Sequence, residues 1–444
     1  MYLLYSVAIV LFFIAVSPYF VYQALRYRKY VGSLAQRLGV LPVTLNLDGD
    51  ESIWLHAVSV GEVLTARALI GELRERYPRL RLFLSTTTMT GQHVARSNLQ
   101  HVDAVFFMPF DLPFVVRRTL RIVRPRLFIM METELWPNLL RACRSRGVRT
   151  VLVNGRISSR SYPRYRFVRP FFRRVLGDLD LACMQSDESA RRLIDVGIDP
   201  GKIVMTGSLK FDSLETPAAG GVRGRQRVLR YFRMREDRPV VIAASTLKGE
   251  ESAVLTAFWR VKRMRPDALL ILAPRKPERF DEVAELVSGE GFSVARRSEL
   301  PVDAEPRADV VILDTFGELA TLFQIATAVF VGGSLVDAGG HNILEPAVFG
   351  KAILFGPYMQ NFAEIAQTFL DNGAAEQVSS EAGLTNALVG LLDDPVRRAR
   401  LGAAARALVE ANRGAKHRTL DAIARVFPYD TRSEAVVRPF RLVH

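Results

Sequence analysis

From residue 53 onward, short apolar runs alternate with stretches in which apolar positions recur every three or four places. The first kind reads as buried strand and the second as amphipathic helix. Ile53–Val58 is predicted as a strand, and Glu62–Arg76 as a helix with Val63, Ala66, Leu69, Ile70 and Leu73 on one face. Further strands are predicted at Leu80–Ser85, Ala104–Met108, Leu127–Met131, Val148–Val153, Leu179–Met184 and Lys202–Thr206. Strand–helix repetition of this kind builds a parallel sheet covered on both faces. Pro, Ala and Gly break the pattern over Thr216–Gly224, and a second series starts at Pro239. Its strands are expected at Val240–Ala244, Ala268–Ala273, Val310–Leu313, Ala328–Val331 and Ala352–Leu354. The expected architecture is α/β, with two halves of similar size and a cleft between them. A first domain over 26–215, a linker over 216–238, a second domain over 239–405 and a helical tail over 406–444 follow from these breaks.

Residues 1–25 stand apart, with no charged side chain. As a helix they extend roughly 37 Å at about 1.5 Å per residue, enough to cross a bilayer or to lie in it obliquely. The length of the apolar run, the absence of a basic leader and Pro18 argue against a cleaved signal peptide. Arg26, Arg28, Lys29 and Arg37 come next, and positive flanks stay cytoplasmic. An uncleaved N-terminal membrane helix is expected, with the remainder of the chain on the cytoplasmic side.

Composition adds a constraint on partners. At 444 residues, 49% hydrophobic and 24% charged, the chain has enough apolar material for two cores. The charge balance, 60 − 46 = +14, favours anionic partners: nucleic acid, an anionic membrane surface or phosphorylated substrates. Cys143 and Cys183 are far apart and form no metal-ligand spacing, which fits a reducing compartment and offers no zinc site.

The chemistry-bearing residues fall just after predicted strands, where open α/β sheets bind ligands. The richest stretch is Gly332–Pro346, in which glycines and Asn342 lead from a strand into a helix predicted over Asn342–Phe349. Glycine lets backbone approach a ligand closely, so Gly332, Gly333 and Ser334 are candidates for a phosphate loop. Glu345 stands one turn into the helix, within reach of ribose hydroxyls. His56–Glu62, Glu132–Asn138, Gly207–Lys210, Pro274–Arg279 and Asp314–Glu318 occupy the same kind of position after other strands. Together they supply what glycosyl transfer from a nucleotide-sugar needs: a carboxylate base, cations for the leaving phosphate and glycine-rich backbone.

At these residues the chain resembles the 3-deoxy-D-manno-octulosonic acid (Kdo) transferases of lipopolysaccharide synthesis. The resemblance rests on His-Ala-Val-Ser-Val-Gly-Glu62, Met-Glu-Thr-Glu-Leu-Trp-Pro-Asn138, Thr-Gly-Ser-Leu-Lys-Phe-Asp212 and Gly-Gly-Ser-Leu-Val-Asp-Ala-Gly-Gly-His-Asn-Ile-Leu-Glu345. It implies a GT-B fold, two Rossmann-like domains with the nucleotide held mainly by the C-terminal one. It further implies transfer of Kdo from CMP-Kdo to the 6′-hydroxyl of a lipid A precursor at the bacterial inner membrane, with inversion and with neither metal nor other cofactor. On that resemblance Glu62 is the proton acceptor, and Glu132 and Lys210 stabilise the transition state. Pro274, Arg275, Phe316, Gly317, Glu318, Asn342, Ile343, Leu344 and Glu345 match the CMP-binding positions. Lys276 stands where the family commonly has His, and Ile343 where it often has Pro.

Arg156, Arg160, Arg164, Arg166, Arg169, Arg173 and Arg174 are interleaved with aromatic residues in one stretch. Arg166, Arg169 and Arg173 are expected to rest on an anionic leaflet and to admit the acceptor's phosphates. Two other readings stay open at the level of sequence. One is a GT-B enzyme using a UDP-sugar on a lipid acceptor. The other is a basic nucleic-acid-binding protein, although no DNA- or RNA-reading motif is visible.

Overall fold

The computed structural model describes residues 1–27, 31–99, 101–159, 161–214, 222–231, 235–300 and 306–429. Arg28, Lys29 and Arg160 of the basic stretches lie outside them. The chain divides into two compact units, Met1–Ser213 with Arg413–His444, and Leu214–Asn412.

The first unit is built on seven strands: β1 (Ser52–His56), β2 (Arg81–Thr86), β3 (Ala104–Phe107), β4 (Pro125–Met131), β5 (Arg149–Gly155), β6 (Leu181–Met184) and β7 (Ile203–Met205). They form one parallel sheet in the order β3-β2-β1-β4-β5-β6-β7. Every residue of β1 is buried, because helices cover both faces. Ile53 and Leu55 enter one core together with Val63, Ala66, Leu69, Ile70 and Leu73 of helix Val60–Arg76. Trp54 points into the opposite core, where its ring meets Phe106 and Phe128 at 5.5 and 4.7 Å.

The second unit repeats the plan with β8 (Val240–Thr246), β9 (Leu269–Pro274), β10 (Val294–Arg296), β11 (Val310–Ile312), β12 (Ala328–Val331), β13 (Ala352–Phe355) and β14 (Glu376–Gln377). The order is β10-β11-β9-β8-β12-β13-β14, again parallel. Two Rossmann-type α/β units of this kind are the components of the GT-B fold. The strand order reverses between β1 and β4 in one unit and between β8 and β12 in the other, so each sheet has a switch point at its carboxyl edge.

Three expectations need correction. The linker expected over 216–238 contains a helix, Val222–Tyr231, whose Val228 and Leu229 are buried. The tail expected over 406–444 is not one element. Helix Pro395–Asn412 ends the second unit and the chain then returns to the first. There Asp212 accepts from the N–H groups of Gly414 and Lys416 at 2.8 and 2.7 Å, and Leu420 and Ile423 of helix Ala415–Val426 join the core.

The third concerns the N-terminus. A helix does form over Tyr2–Tyr27, but among the described residues no helix is long and apolar enough to cross a membrane. The described part is docked rather than free-standing. Tyr2 donates to Asp178 at 2.6 Å, Tyr5 donates to Asp111 at 3.0 Å, and Phe13 meets Phe110 at 4.3 Å. The face turned away from the unit is apolar: Leu3, Leu4, Val7, Val10, Leu11, Phe12 and Ile14 are exposed.

Candidate functional site

In the first unit the reactive side chains gather at the β1/β4 switch point. Helix Val60–Arg76 starts with a reciprocal cap. Ser59 Oγ accepts from the Glu62 N–H at 3.4 Å and its hydroxyl donates to Glu62 Oε1 at 3.1 Å, a variant of the capping box in which the Glu side chain meets the Ser hydroxyl instead of the Ser N–H. Glu62 Oε2 reaches further back and accepts from the Val58 N–H at 2.9 Å. Burial pushes the Glu62 carboxyl up to about 7; the Val58 N–H and the Ser59 hydroxyl oppose that rise, and the negative charges of Glu132 and Glu134 add to it.

Those two carboxylates come from the turn after β4. Glu132 adopts φ +56°, a conformation L-residues avoid unless the surroundings enforce it. Its Oε1 lies 3.9 Å from Lys210 Nζ, and its charge acts on Glu62, so the three side chains stand at one edge of the sheet. The Lys210 turn is seated by Asn154, itself at φ +54°, whose Oδ1 accepts from the Leu209 N–H at 2.9 Å. Two buried nitrogens nearby, His56 Nε2 and Trp136 Nε1, have no hydrogen-bond partner among the described residues, with their rings 5.9 Å apart. Burial holds His56 down to about 4, so its imidazole is neutral.

In the second unit Arg275, His341, Asn342 and Glu345 form one electrostatic group at the β8/β12 switch point. The Arg275 N–H donates to the Thr246 carbonyl at 3.0 Å, which fixes the loop after β9 against the end of β8. Asn342 accepts from the Leu344 N–H at 3.1 Å and donates to Glu345 Oε1 at 3.0 Å. Burial raises the Glu345 carboxyl above its ordinary value, while Asn342 and the Arg275 charge pull it down. Pro274, Ile343 and Leu344 are buried, so their side chains are packed away from solvent. The helix expected over Asn342–Phe349 is a single turn and a half, Leu344–Val348.

The other expected positions are arranged differently. Phe316 is 83% exposed and Gly317 takes φ +83° after β11. Glu318 is held by Arg297 at 3.0 Å and by the Thr315 hydroxyl. It makes no hydrogen bond to Asn342 or Glu345 among the described residues.

The expectation of a phosphate loop at Gly332, Gly333 and Ser334 is overturned. The N–H groups of Gly333, Ser334 and Leu335 donate to the carboxylate of Glu250 at 2.7, 2.9 and 2.9 Å, and that of Leu247 does so at 2.9 Å. The Gly332 N–H donates to the Ala244 carbonyl at 2.8 Å. This concavity is built for an anion, and the protein's own Glu250, fully buried, is that anion. Glycine is required at 332 because a Cβ there would stand 2.7 Å from Ser245 O and Thr246 Cα.

Residues 32–213 match the family model described as 3-deoxy-D-manno-octulosonic-acid transferase (kdotransferase). The 3-deoxy-D-manno-octulosonic acid transferase of Haemophilus influenzae is 35% identical over 88% of this chain and 91% of its own length. The chain belongs to this transferase family. The Bordetella pertussis member is likewise 35% identical, over 84% of this chain and 86% of its own. Among solved structures, UDP-GlcNAc 2-epimerase from Neisseria meningitidis bound to UDP-GlcNAc superposes with a TM-score of 0.58 at 10% identity, covering 84% of this chain and all of that one. Identity that low speaks for the fold alone.

Four residues of this transferase escaped the sequence reading. Ser59 was visible as the first member of Ser-x-x-Glu, a known helix-start signature. Glu134 sits two places after Glu132; burial and the Glu132 charge push it up to about 7, with no hydrogen bond to its carboxylate among the described residues. His341 packs on Gly333, and burial together with Arg275 holds it down to about 4, its buried Nε2 having no hydrogen-bond partner among the described residues. Glu250 gave no local signal, since three of its four partners lie 83 to 85 positions further on.

Proposed function

We propose that this transferase moves Kdo from CMP-Kdo to the 6′-hydroxyl of a lipid A precursor, with Glu62 as the base. The observation that carries this reading is a half-buried carboxyl, held by the Val58 N–H and the Ser59 hydroxyl and raised toward about 7, with Glu132 and Lys210, themselves 3.9 Å apart, on the same edge of the sheet. A free Glu titrates near ~4.3 and is a poor base toward an alcohol; a raised value suits the task. Glu62 takes the hydroxyl proton as the oxygen forms its bond to the anomeric carbon. The bond from that carbon to the CMP phosphate breaks, its electrons leave with CMP, and attack opposite the leaving group inverts the centre. Arg275 is the cation suited to the departing phosphate, and the half-buried Asn342–Glu345 pair to the ribose hydroxyls. Lys210 balances charge on the side of the base.

The acceptor is a lipid, and the surface of the first unit suits a membrane. Among the described residues, the outer face of helix Tyr2–Tyr27 offers seven exposed large apolar side chains. Phe114 and Phe167 are 61% and 89% exposed, and Arg166, Arg169 and Arg173 are exposed on the helices around Phe167. The neighbouring Tyr162, Tyr165, Phe171 and Phe172 turn inward. A basic rim around apolar wedges is the pattern of a protein lying on an anionic leaflet. We place the enzyme on the cytoplasmic side of the inner membrane.

The test is reconstitution with CMP-Kdo and a lipid A precursor, with products read by mass spectrometry. The expected product gains Kdo, CMP competes with the donor and UDP does not. Competition by UDP instead would favour a UDP-sugar donor. Glu62→Gln is expected to fold and bind CMP as the parent does while losing at least about a hundredfold in kcat; undiminished turnover would remove Glu62 from its role.

A further inference from the structure

The inner face of the N-terminal helix is joined to the acidic loop through one buried carboxylate. Asp111, in the loop after β3, is 3% exposed. Its Oδ2 accepts from the Tyr5 hydroxyl at 3.0 Å and from the Asn138 N–H at 2.9 Å, and its Oδ1 accepts from the Leu139 N–H at 2.8 Å. Its carbonyl accepts from Asn138 Nδ2 at 2.6 Å. Ser6 closes the circuit, with its Oγ 3.1 Å from Asn138 Nδ2 and 3.3 Å from Asn138 Oδ1. Asp111 therefore ties together the N-terminal helix, the loop after β3 and the first turn of helix Pro137–Ser145.

That first turn is the far end of the loop bearing Glu132 and Glu134. Residues 132–136 are all that separate Met131, the last of β4, from Pro137. β4 is fixed by its sheet neighbours, and the near end of the loop is tied to β5 and the turn after it, the Glu132 N–H donating to the Val153 carbonyl at 3.0 Å and the Thr133 hydroxyl to the Arg156 carbonyl at 2.5 Å; the helix start is the anchor of its far end, nearer Glu134. A buried carboxylate stays in place only while donors surround it, and removing one weakens its hold on the rest. Further contacts press the N-terminal helix onto the same region: Tyr5 meets Phe171 at 5.4 Å, and the Arg141 guanidinium lies 4.6 Å above the Tyr2 ring.

We propose that Tyr5 and Ser6 are positioning residues for transfer: seated on Asp111 and Asn138, they hold the Glu132–Trp136 loop against Glu62. The N-terminal helix is then a component of the catalytic unit as well as its membrane contact. This rests on Glu62 being the base. Glu62 is faced by four groups: the Val58 N–H, the Ser59 hydroxyl, and the carboxylates of Glu132 and Glu134. Of these, the last two belong to the loop.

The test uses the full chain in detergent micelles with dispersed acceptor, where membrane attachment no longer limits access. Tyr5→Phe/Ser6→Ala is expected to lower kcat about tenfold, the effect of losing a hydrogen bond to a charged group, with KM for CMP-Kdo within about twofold. The acid limb of its pH–kcat profile is expected to move to lower pH, because the loop carboxylates stand further from Glu62 and raise its proton affinity less. A merely destabilised protein would lose active molecules without moving that limb. Leu4→Ser/Leu11→Ser, on the outer face, is expected to keep the parent kcat and pH profile in micelles. Should the double variant fail to fold, Tyr5→Phe alone gives the same reading. Parent values of kcat and of the acid limb in a folded Tyr5 variant overturn the proposal. Full activity of Glu62→Gln would instead count against the function proposed above.

Discussion

Glu62 is hydrogen-bonded like a helix cap and titrates like a base, and the two properties are compatible. Its carboxylate accepts from the Val58 N–H and the Ser59 hydroxyl, yet each oxygen keeps a second lone pair for an incoming hydroxyl. Burial and the charges of Glu132 and Glu134 outweigh those two donors. The base must be ionised to act, so kcat is expected to rise with pH through about 7 and then level off. Ser59→Ala removes a donor that favours the ionised form, so the acid limb should shift to higher pH, by about half a unit, while Ser59→Thr keeps it. Glu134 offers the complementary case. Its proton affinity is raised in the folded state, so the native protein binds more protons than the unfolded chain between the ordinary Glu range and about 7. Stability is accordingly lost as pH rises through that window. Glu134→Gln is expected to raise the thermal midpoint at pH 8, less so at pH 5, and hardly at all at pH 3.5, below the ordinary Glu range, read by scanning calorimetry. The sequence singled out Glu132 by its motif and not Glu134, because only folding sets their environments apart: Lys210 stands beside Glu132, whereas burial and the Glu132 charge act on Glu134.

Among the elements, the β12 turn shows where sequence patterns stop. Gly332, Gly333 and Ser334 have the composition of a phosphate cradle, but composition does not reveal what already occupies it. Glu250 fills it with four hydrogen bonds. Glu250→Ala leaves four backbone N–H groups without their acceptor, and is expected to cost the second unit more than about 3 kcal/mol. Urea unfolding followed through Trp259, the tryptophan of that unit, would measure it. CMP affinity should fall with it, since the same turn leads directly to Asn342 and Glu345. The strands themselves were legible because parallel strands buried on both faces read as unbroken apolar runs. β10 and β14 were not, being edge strands of three and two residues with half-exposed side chains that carry no such signal. Helix Val222–Tyr231 was hidden for a different reason: its sequence, Val-Arg-Gly-Arg-Gln-Arg-Val-Leu-Arg-Tyr, is mostly basic and polar, and Val228 and Leu229 find their cover in distant chain.

Across the molecule, the two halves were apparent from the Pro/Gly break, but the path of the chain was not. Its return to the first unit depends on Asp212 meeting Gly414 and Lys416, some two hundred positions away. The apolar N-terminus also has two faces, although both are uncharged. Tyr2, Tyr5, Ser6 and Phe13 are committed to the first unit, and Leu3, Leu4, Leu11 and Phe12 are left outside. Leu4→Glu/Leu11→Glu places two charges on that outer face, and is expected to abolish binding to anionic liposomes in flotation assays while sparing micellar kcat. Retained flotation would show that the membrane contact lies elsewhere.

Sequence by itself determined the α/β class, the parallel sheets, the two-unit division and the motifs that carry family membership, because each is written in local periodicity or in contiguous residues. Tertiary structure decided which acids share an environment, which anion fills the glycine turn and which side of the N-terminal helix is bound. These depend on burial and on pairings between residues far apart in the chain, and an isolated stretch of sequence has neither.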